Sequence, residues 1–223
     1  MNIATDLGKV VTNLQVERGE VAFYIFTNGS TLRTNLTQRF AITDEAINKM
    51  SIWTEIKVPS LLHGHGTENA EVMLNRSSFQ TRLEGFRKQI NSEESKVLDV
   101  MIWYMTVNNA MLDHLTNQIK ETDKSGVWRY LIGFKNLLRS IESIGISAVY
   151  GIMYFGRGHL KTDSHINYIK YDVLGKDLLN SSLNYVPYLK KMYRNITIMI
   201  PEYGNIKNRL EYFYCGLFSL LNK

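Results

Sequence analysis

Leu14-Gln-Val-Glu-Arg-Gly-Glu-Val-Ala-Phe-Tyr-Ile-Phe26 and Ile141-Glu-Ser-Ile-Gly-Ile-Ser-Ala-Val-Tyr-Gly-Ile-Met153 read as two versions of one segment. Gly19 aligns with Gly145, Ala22 with Ala148 and Tyr24 with Tyr150. Two extra residues in the second version's turn shift the register. Leu32 then aligns with His159 or Leu160, Phe40 with Tyr168 and Asp44 with Asp172. A chain of two related halves predicts a pseudo-symmetric structure with its business between the halves. The symmetry breaks at one position, where Arg18 aligns with Ile144.

Outward from these segments the apolar spacing is helical almost everywhere. Leu7, Val11, Leu14, Arg18, Ala22 and Ile25 step by four or three residues, which predicts a first helix over about 3–27. Asn28-Gly-Ser-Thr supplies a helix-ending glycine and new N-cap candidates, and Gly156-Arg-Gly is its counterpart in the second half. The same reading predicts helices over about 31–57, 70–90, 92–121, 125–155, 162–186, 188–199 and 203–221. Val58-Pro-Ser and His63-Gly-His-Gly form the main break in the first half, and Pro201 and Gly204 split the last two helices. Strand signals are nearly absent, and the only β-branched run is Ile196 to Ile200. The expected fold is all-α: about eight helices in two related antiparallel bundles. We expect one domain over 1–223, its first bundle about 1–121 and its second about 122–223.

Composition narrows the function classes. An apolar fraction of 44% and a charged fraction of 21% are those of a folded soluble protein. The net charge of +5 is spread among acids, which argues against nucleic-acid binding. The single Cys215 allows no intrachain disulfide. Neither a signal peptide nor a membrane span is visible, so any export signal or anchor would have to lie outside this sequence; a complete chain is expected to be cytoplasmic or secreted. Five Asn-x-Ser/Thr sequons, at Asn28, Asn35, Asn75, Asn180 and Asn195, lean toward an exported domain, although an Asn-rich chain produces some by chance.

No enzyme signature is present: no phosphate loop, nucleophile elbow or His-Glu-x-x-His. No cofactor is expected. His63 and His65 lack the further ligands a metal needs, and no metal site is expected. Arg18 stands out because it lies in an apolar seam. A guanidinium removed from water needs an anion, since an unpaired buried charge costs several kcal/mol. The candidates are Asp44, Glu17 or Glu45, or a small planar anion that fits the two-pronged fork. The competing structural reading is an interhelix salt bridge, or a side chain that snorkels to the surface. Gly19 and Gly145 sit in mid-helix, where glycine costs about 1 kcal/mol relative to alanine. Close helix packing, or room for a ligand beside Arg18, accounts for that cost.

Leu14-Gln-Val-Glu-Arg-Gly-Glu, followed by Thr37-Gln-Arg-Phe-Ala-Ile-Thr-Asp44, resembles the nitrate- and nitrite-sensing (NIT) domain, which has a Leu-Gln-x-Glu-Arg-Gly first helix. The string from Ile141 to Leu160 looks like the second half of that domain, in a form closest to the extracellular versions of animal receptor guanylate cyclases. The resemblance spans about residues 8–190. It implies an all-helical sensory module of two four-helix bundles, with nitrate or nitrite bound between them by arginines. It also implies a non-catalytic domain that is homodimeric and controls a cyclase from the extracellular side of the plasma membrane. Arg18 matches the family's first-helix arginine, and Gln15, Gly19 and Gly145 are the further candidate ligand-binding positions. Many members carry Glu-Arg after the glycine of the second half, where Ile146-Ser147 stand here. That departure weakens the case for nitrate itself, and the animal cyclase versions are associated with nitric oxide signalling. The alternative is a helical dimerisation or interaction module that has lost anion binding.

Overall fold

The chain, analysed as a computed structural model, is described over residues 2–27, 29, 35–53, 55–59, 71–90, 97–121 and 128–199. These residues form α1 (Asn2–Phe26), α2 (Leu36–Lys49), β1 (Ile56–Pro59), β2 (Glu71–Leu74), α3 (Arg76–Arg87), α4 (Val97–Glu121), α5 (Trp128–Arg157), α6 (Thr162–Tyr185) and α7 (Pro187–Met199). The fold is all-α with one small hairpin, in agreement with the fold class read from the sequence. The eighth expected helix, 203–221, and the histidine loop at 63–65 lie outside the described residues.

The ends of the helices follow local chemistry. Asn35 caps α2 by accepting a hydrogen bond from Gln38 N at 3.1 Å, and Asn75 caps α3 by accepting one from Ser78 N at 2.9 Å. Gly29 and Gly158 end the equivalent helices α1 and α5, each at φ +74°, a left-handed conformation that glycine adopts without a Cβ penalty. Thus the repeat extends to the turn geometry.

Two expectations fail between residues 50 and 74. The second helix, expected to reach residue 57, ends at Lys49 because Met50 turns extended at ψ 117°. Asp6 fixes the exit by accepting hydrogen bonds from Ser51 N and Oγ at 3.2 and 2.9 Å. The third helix, expected from residue 70, starts later, because residues 71–74 form β2, antiparallel to β1 with Ile56 opposite Leu74. Ile56, Val58 and Leu74 are buried while Met73 is exposed. This alternation has period two, but four residues are too few to separate it from a helical step. The β-branched run after Ile196 is helical through Met199.

One buried cluster joins α1, α4 and the hairpin to the inner face of α5. α1 packs against α2, α4 and α5, while α5 packs along α6. α1 and α5 run parallel: a Cβ on Gly8 would meet Phe134, Arg18 lies by Gly145, and a Cβ on Gly156 would meet Phe26. The two copies of the repeat therefore lie side by side with equivalent positions near one another.

α5 and α6 run antiparallel at very close range. Ser140 Oγ donates to Gly175 O at 2.7 Å, and Ser182 Oγ donates to Gly133 O at 2.6 Å. A Cβ on Gly175 would stand 3.1 Å from Ile144 N and 3.3 Å from Ser140 O, both backbone atoms that cannot move aside alone. Gly175→Ala is therefore expected to be destabilising by about 1–3 kcal/mol through overpacking, against the ~1 kcal/mol that alanine returns as helix propensity. Chemical denaturation of wild type and variant checks this.

Candidate functional site

Glu17 and Arg18 are adjacent on α1 and both are 0% exposed. Neighbours in sequence project about 100° apart on a helix and do not face each other. Each therefore needs a partner from a different element.

Glu17 is held by α3 and α4. Arg87 Nε and Nη2 donate to its two oxygens at 2.9 and 2.7 Å, a two-pronged pair, and the Tyr104 hydroxyl donates to Oε1 at 2.8 Å. Arg87 also reaches α2, where Nη1 donates to Asp44 Oδ1 at 2.7 Å and the guanidinium covers the Phe40 ring at 4.5 Å. Phe86 stacks on Trp103 at 4.0 Å beside this network. Burial opposes the Arg87 charge, but the Glu17 and Asp44 carboxylates outweigh it and hold the guanidinium pKa above its ordinary value. Burial, and then the Glu17 carboxylate, push the Tyr104 hydroxyl well above its ordinary range, which keeps it a neutral donor.

Arg18 faces α5, at the level of α4 one turn beyond Tyr104. Its Nη1 donates to Glu142 Oε1 in an ion pair, and Nη2 donates to the Glu142 backbone oxygen at 3.4 Å. Asn108 Nδ2 donates to the other Glu142 oxygen at 3.0 Å. The side chains of Arg18 and Glu142 are 0% and 4% exposed, so the pair is dry. Removing one member strands the other and costs about 3–5 kcal/mol. Three buried polar atoms in this group have no hydrogen-bond partner: Arg18 Nε, Gln15 Oε1 and Asn108 Oδ1.

The four positions singled out from the sequence have different surroundings. Gln15 Nε2 donates to Leu138 O at 3.4 Å, one turn before Glu142. Gly145 sits against the guanidinium, where a Cβ would stand 2.6 Å from Arg18 Nη2. Gly19 looks onto open space, where a Cβ would meet nothing within 4 Å. Gln15, Arg18 and Gly145 thus meet at the α1–α5 contact, and Gly19 does not. The carboxylates considered for Arg18 are placed elsewhere: Glu17 and Asp44 bind Arg87, and Glu45 binds Lys49 at 2.5 Å. Glu142 and Asn108 were not anticipated. The signal for Glu142 is faint but real, since it falls four residues after buried Leu138 and three before Gly145 on the helical face toward α1.

A family model for nitrate and nitrite sensing matches residues 9–197. The chain belongs to the nitrate and nitrite sensing (NIT) family. No curated protein and no solved structure matches it. As a NIT domain the chain is a nitrate- and nitrite-sensing regulatory domain, of a family not known for catalysis, and that membership suggests small-anion binding. An open cleft of about 520 Å³ between the hairpin and α4 is lined by Lys57, Asn109, Asp113 and His114, and none of the four positions read from the sequence lines it. Among the described residues no cluster of three His, Cys, Asp or Glu could hold a metal ion.

The two equivalent glycines give opposite expectations. Gly19→Ala should stabilise the fold by about 0.5–1 kcal/mol, because alanine is the better helix former and meets no neighbour. Gly145→Ala should destabilise it by displacing Arg18 from the dry ion pair. Thermal unfolding of the two variants beside wild type measures both signs.

Proposed function

We propose that this chain is the ligand-sensing regulatory domain of a receptor-type guanylate cyclase, responding to nitrate, nitrite or a nitric-oxide-related signal. The observation that carries the anion reading is Arg18: an always-charged fork, fully buried, at the contact between the two copies of the repeat. An anion there changes what α1 and α5 share. The bundle beginning near residue 122 then shifts against the one that precedes it, and the signal leaves along the long helices toward a homodimeric effector. The shift can be no larger than the ligand's preference for one arrangement over the other.

The extracellular placement draws support from the sequons. Asn35, Asn75, Asn180 and Asn195 are all exposed, so each side chain is open to modification. Membrane attachment would come from segments outside this chain; among the described residues no helix is long and apolar enough to cross a membrane. Protein secreted from animal cells is expected to lose apparent mass on treatment with a peptide N-glycosidase. An unchanged mass would overturn the exported reading.

A second reading has its own observation. The closed Arg18–Glu142 pair already neutralises the guanidinium, as expected of an interaction module that no longer binds anions. Titration calorimetry with nitrate and with nitrite on wild type and Arg18→Ala separates the two. Heat of binding in wild type that disappears in the variant supports the sensor. Equal heats in both proteins sink the Arg18 site, and no heat in either favours the interaction module.

A further inference from the structure

Arg18 presents two edges for two-pronged binding, and Glu142 occupies them poorly. Only Nη1 carries a strong bond to the carboxylate; Nη2 has a 3.4 Å contact to a backbone oxygen, and the buried Nε has no partner. The Nε–Nη2 edge, which suits a planar oxyanion best, is thus under-used. Glu142 in turn is held by one prong from Arg18 and one from Asn108. Its carboxylate is itself a planar, singly charged oxyanion with two accepting oxygens, the same chemical outline as nitrite, nitrate or formate.

We propose that Glu142 is a built-in competitor for the anion site, so that an external planar oxyanion binds Arg18 only by displacing this carboxylate. The proposal rests on the sensor reading and adds the residue that sets its threshold and selectivity. Charge decides why displacement is required. With Glu142 in place the buried site is neutral, and a second anion would leave an uncompensated charge out of water. With Glu142 swung toward solvent, the incoming anion restores neutrality and takes over the Asn108 Nδ2 donor. Among the described residues, three other acids on α1, α4 and α6 are paired elsewhere. Glu17 binds Arg87, Asp113 of α4 binds Arg139 at 2.5 Å, and Asp172 of α6 binds Lys176 at 2.7 Å. Arg18 is the cation whose pairing links α1 to α5.

Displacement also explains how binding reaches the fold. The Arg18–Glu142 bond joins residues 124 positions apart, one in each copy of the repeat. The symmetry-equivalent positions, Ile144 and Val16, are apolar and 39% and 43% exposed, so the repeat offers no second ion pair to replace it. An anion that takes Glu142's place satisfies Arg18 without tying it to α5. The selectivity follows from shape: flat monovalent oxyanions fit the two donors, while tetrahedral divalent sulfate brings an excess charge.

The test compares nitrate, nitrite, formate and sulfate on wild type and on Glu142→Gln. The variant keeps the side-chain outline but removes the competing charge. It is expected to bind nitrate at least tenfold more tightly than wild type, with formate competing and sulfate not. Its unfolding temperature should rise with nitrate far more than that of wild type, because the anion then compensates a lone buried guanidinium. Equal nitrate affinity in the two proteins overturns the competitor role while leaving the Arg18 anion site standing. No binding by either protein overturns both. Should Glu142→Gln fail to fold, Glu142→Asp, whose carboxylate falls one methylene short, carries the same comparison. A few-fold gain in affinity is then expected, and an unchanged affinity counts against the proposal.

Discussion

Two buried charges of opposite sign, adjacent on one helix, organise this protein. Glu17 and Arg18 cannot neutralise each other, because a helix points consecutive side chains in different directions. Each has to recruit a partner from elsewhere, and burial makes the requirement strict. Glu17 draws in Arg87 and Tyr104, and through Arg87 it reaches Asp44. Arg18 draws in Glu142 and, beyond it, Asn108. One dipeptide thereby ties α1 to α2, α3, α4 and α5.

The two networks differ in how completely they are satisfied. Around Glu17 the geometry is two-pronged, an aromatic ring lies under the guanidinium, and a tyrosine completes the carboxylate. Such a site is suited to hold four helical elements in fixed relation. Around Arg18 the bonds are single-pronged and three buried polar atoms lack partners. A buried polar group that is only partly satisfied carries a desolvation cost that a better-matched partner would relieve. The contrast sets a fully bonded network within the first half beside a sparsely bonded contact to the second.

The repeat shows how a duplicated frame becomes asymmetric. Both copies end in glycines at φ +74°, and their first helices lie parallel with equivalent residues close together. Yet Gly19 borders open space while Gly145 borders Arg18, and Asp44 serves an arginine from another helix while Asp172 serves Lys176 one turn away. The same backbone motif thus carries a polar junction in one copy and close helix packing in the other. Gly175, aligned with buried Ile47, lets α6 approach α5 to a distance at which a Cβ would crowd Ile144 and Ser140.

The sequence by itself determined the helical class, the approximate span of most helices, the duplicated turn, membership of the NIT family and the apolar setting of Arg18. Those features are local: periodicity, caps, glycines and a motif of a few residues carry them. It did not reveal the hairpin of residues 56–59 and 71–74, because four-residue strands are too short for their alternation to stand out. Nor did it reveal that Arg18 pairs with Glu142 rather than with Glu17, Asp44 or Glu45. That choice was decided only by the tertiary structure. Several acids carry the same charge, and which one arrives depends on the helix that packs beside α1 and on the face it turns inward. α5 comes to lie parallel to α1, with Gly145 leaving space for the guanidinium, and that packing brings Glu142 to Arg18 across 124 residues of chain.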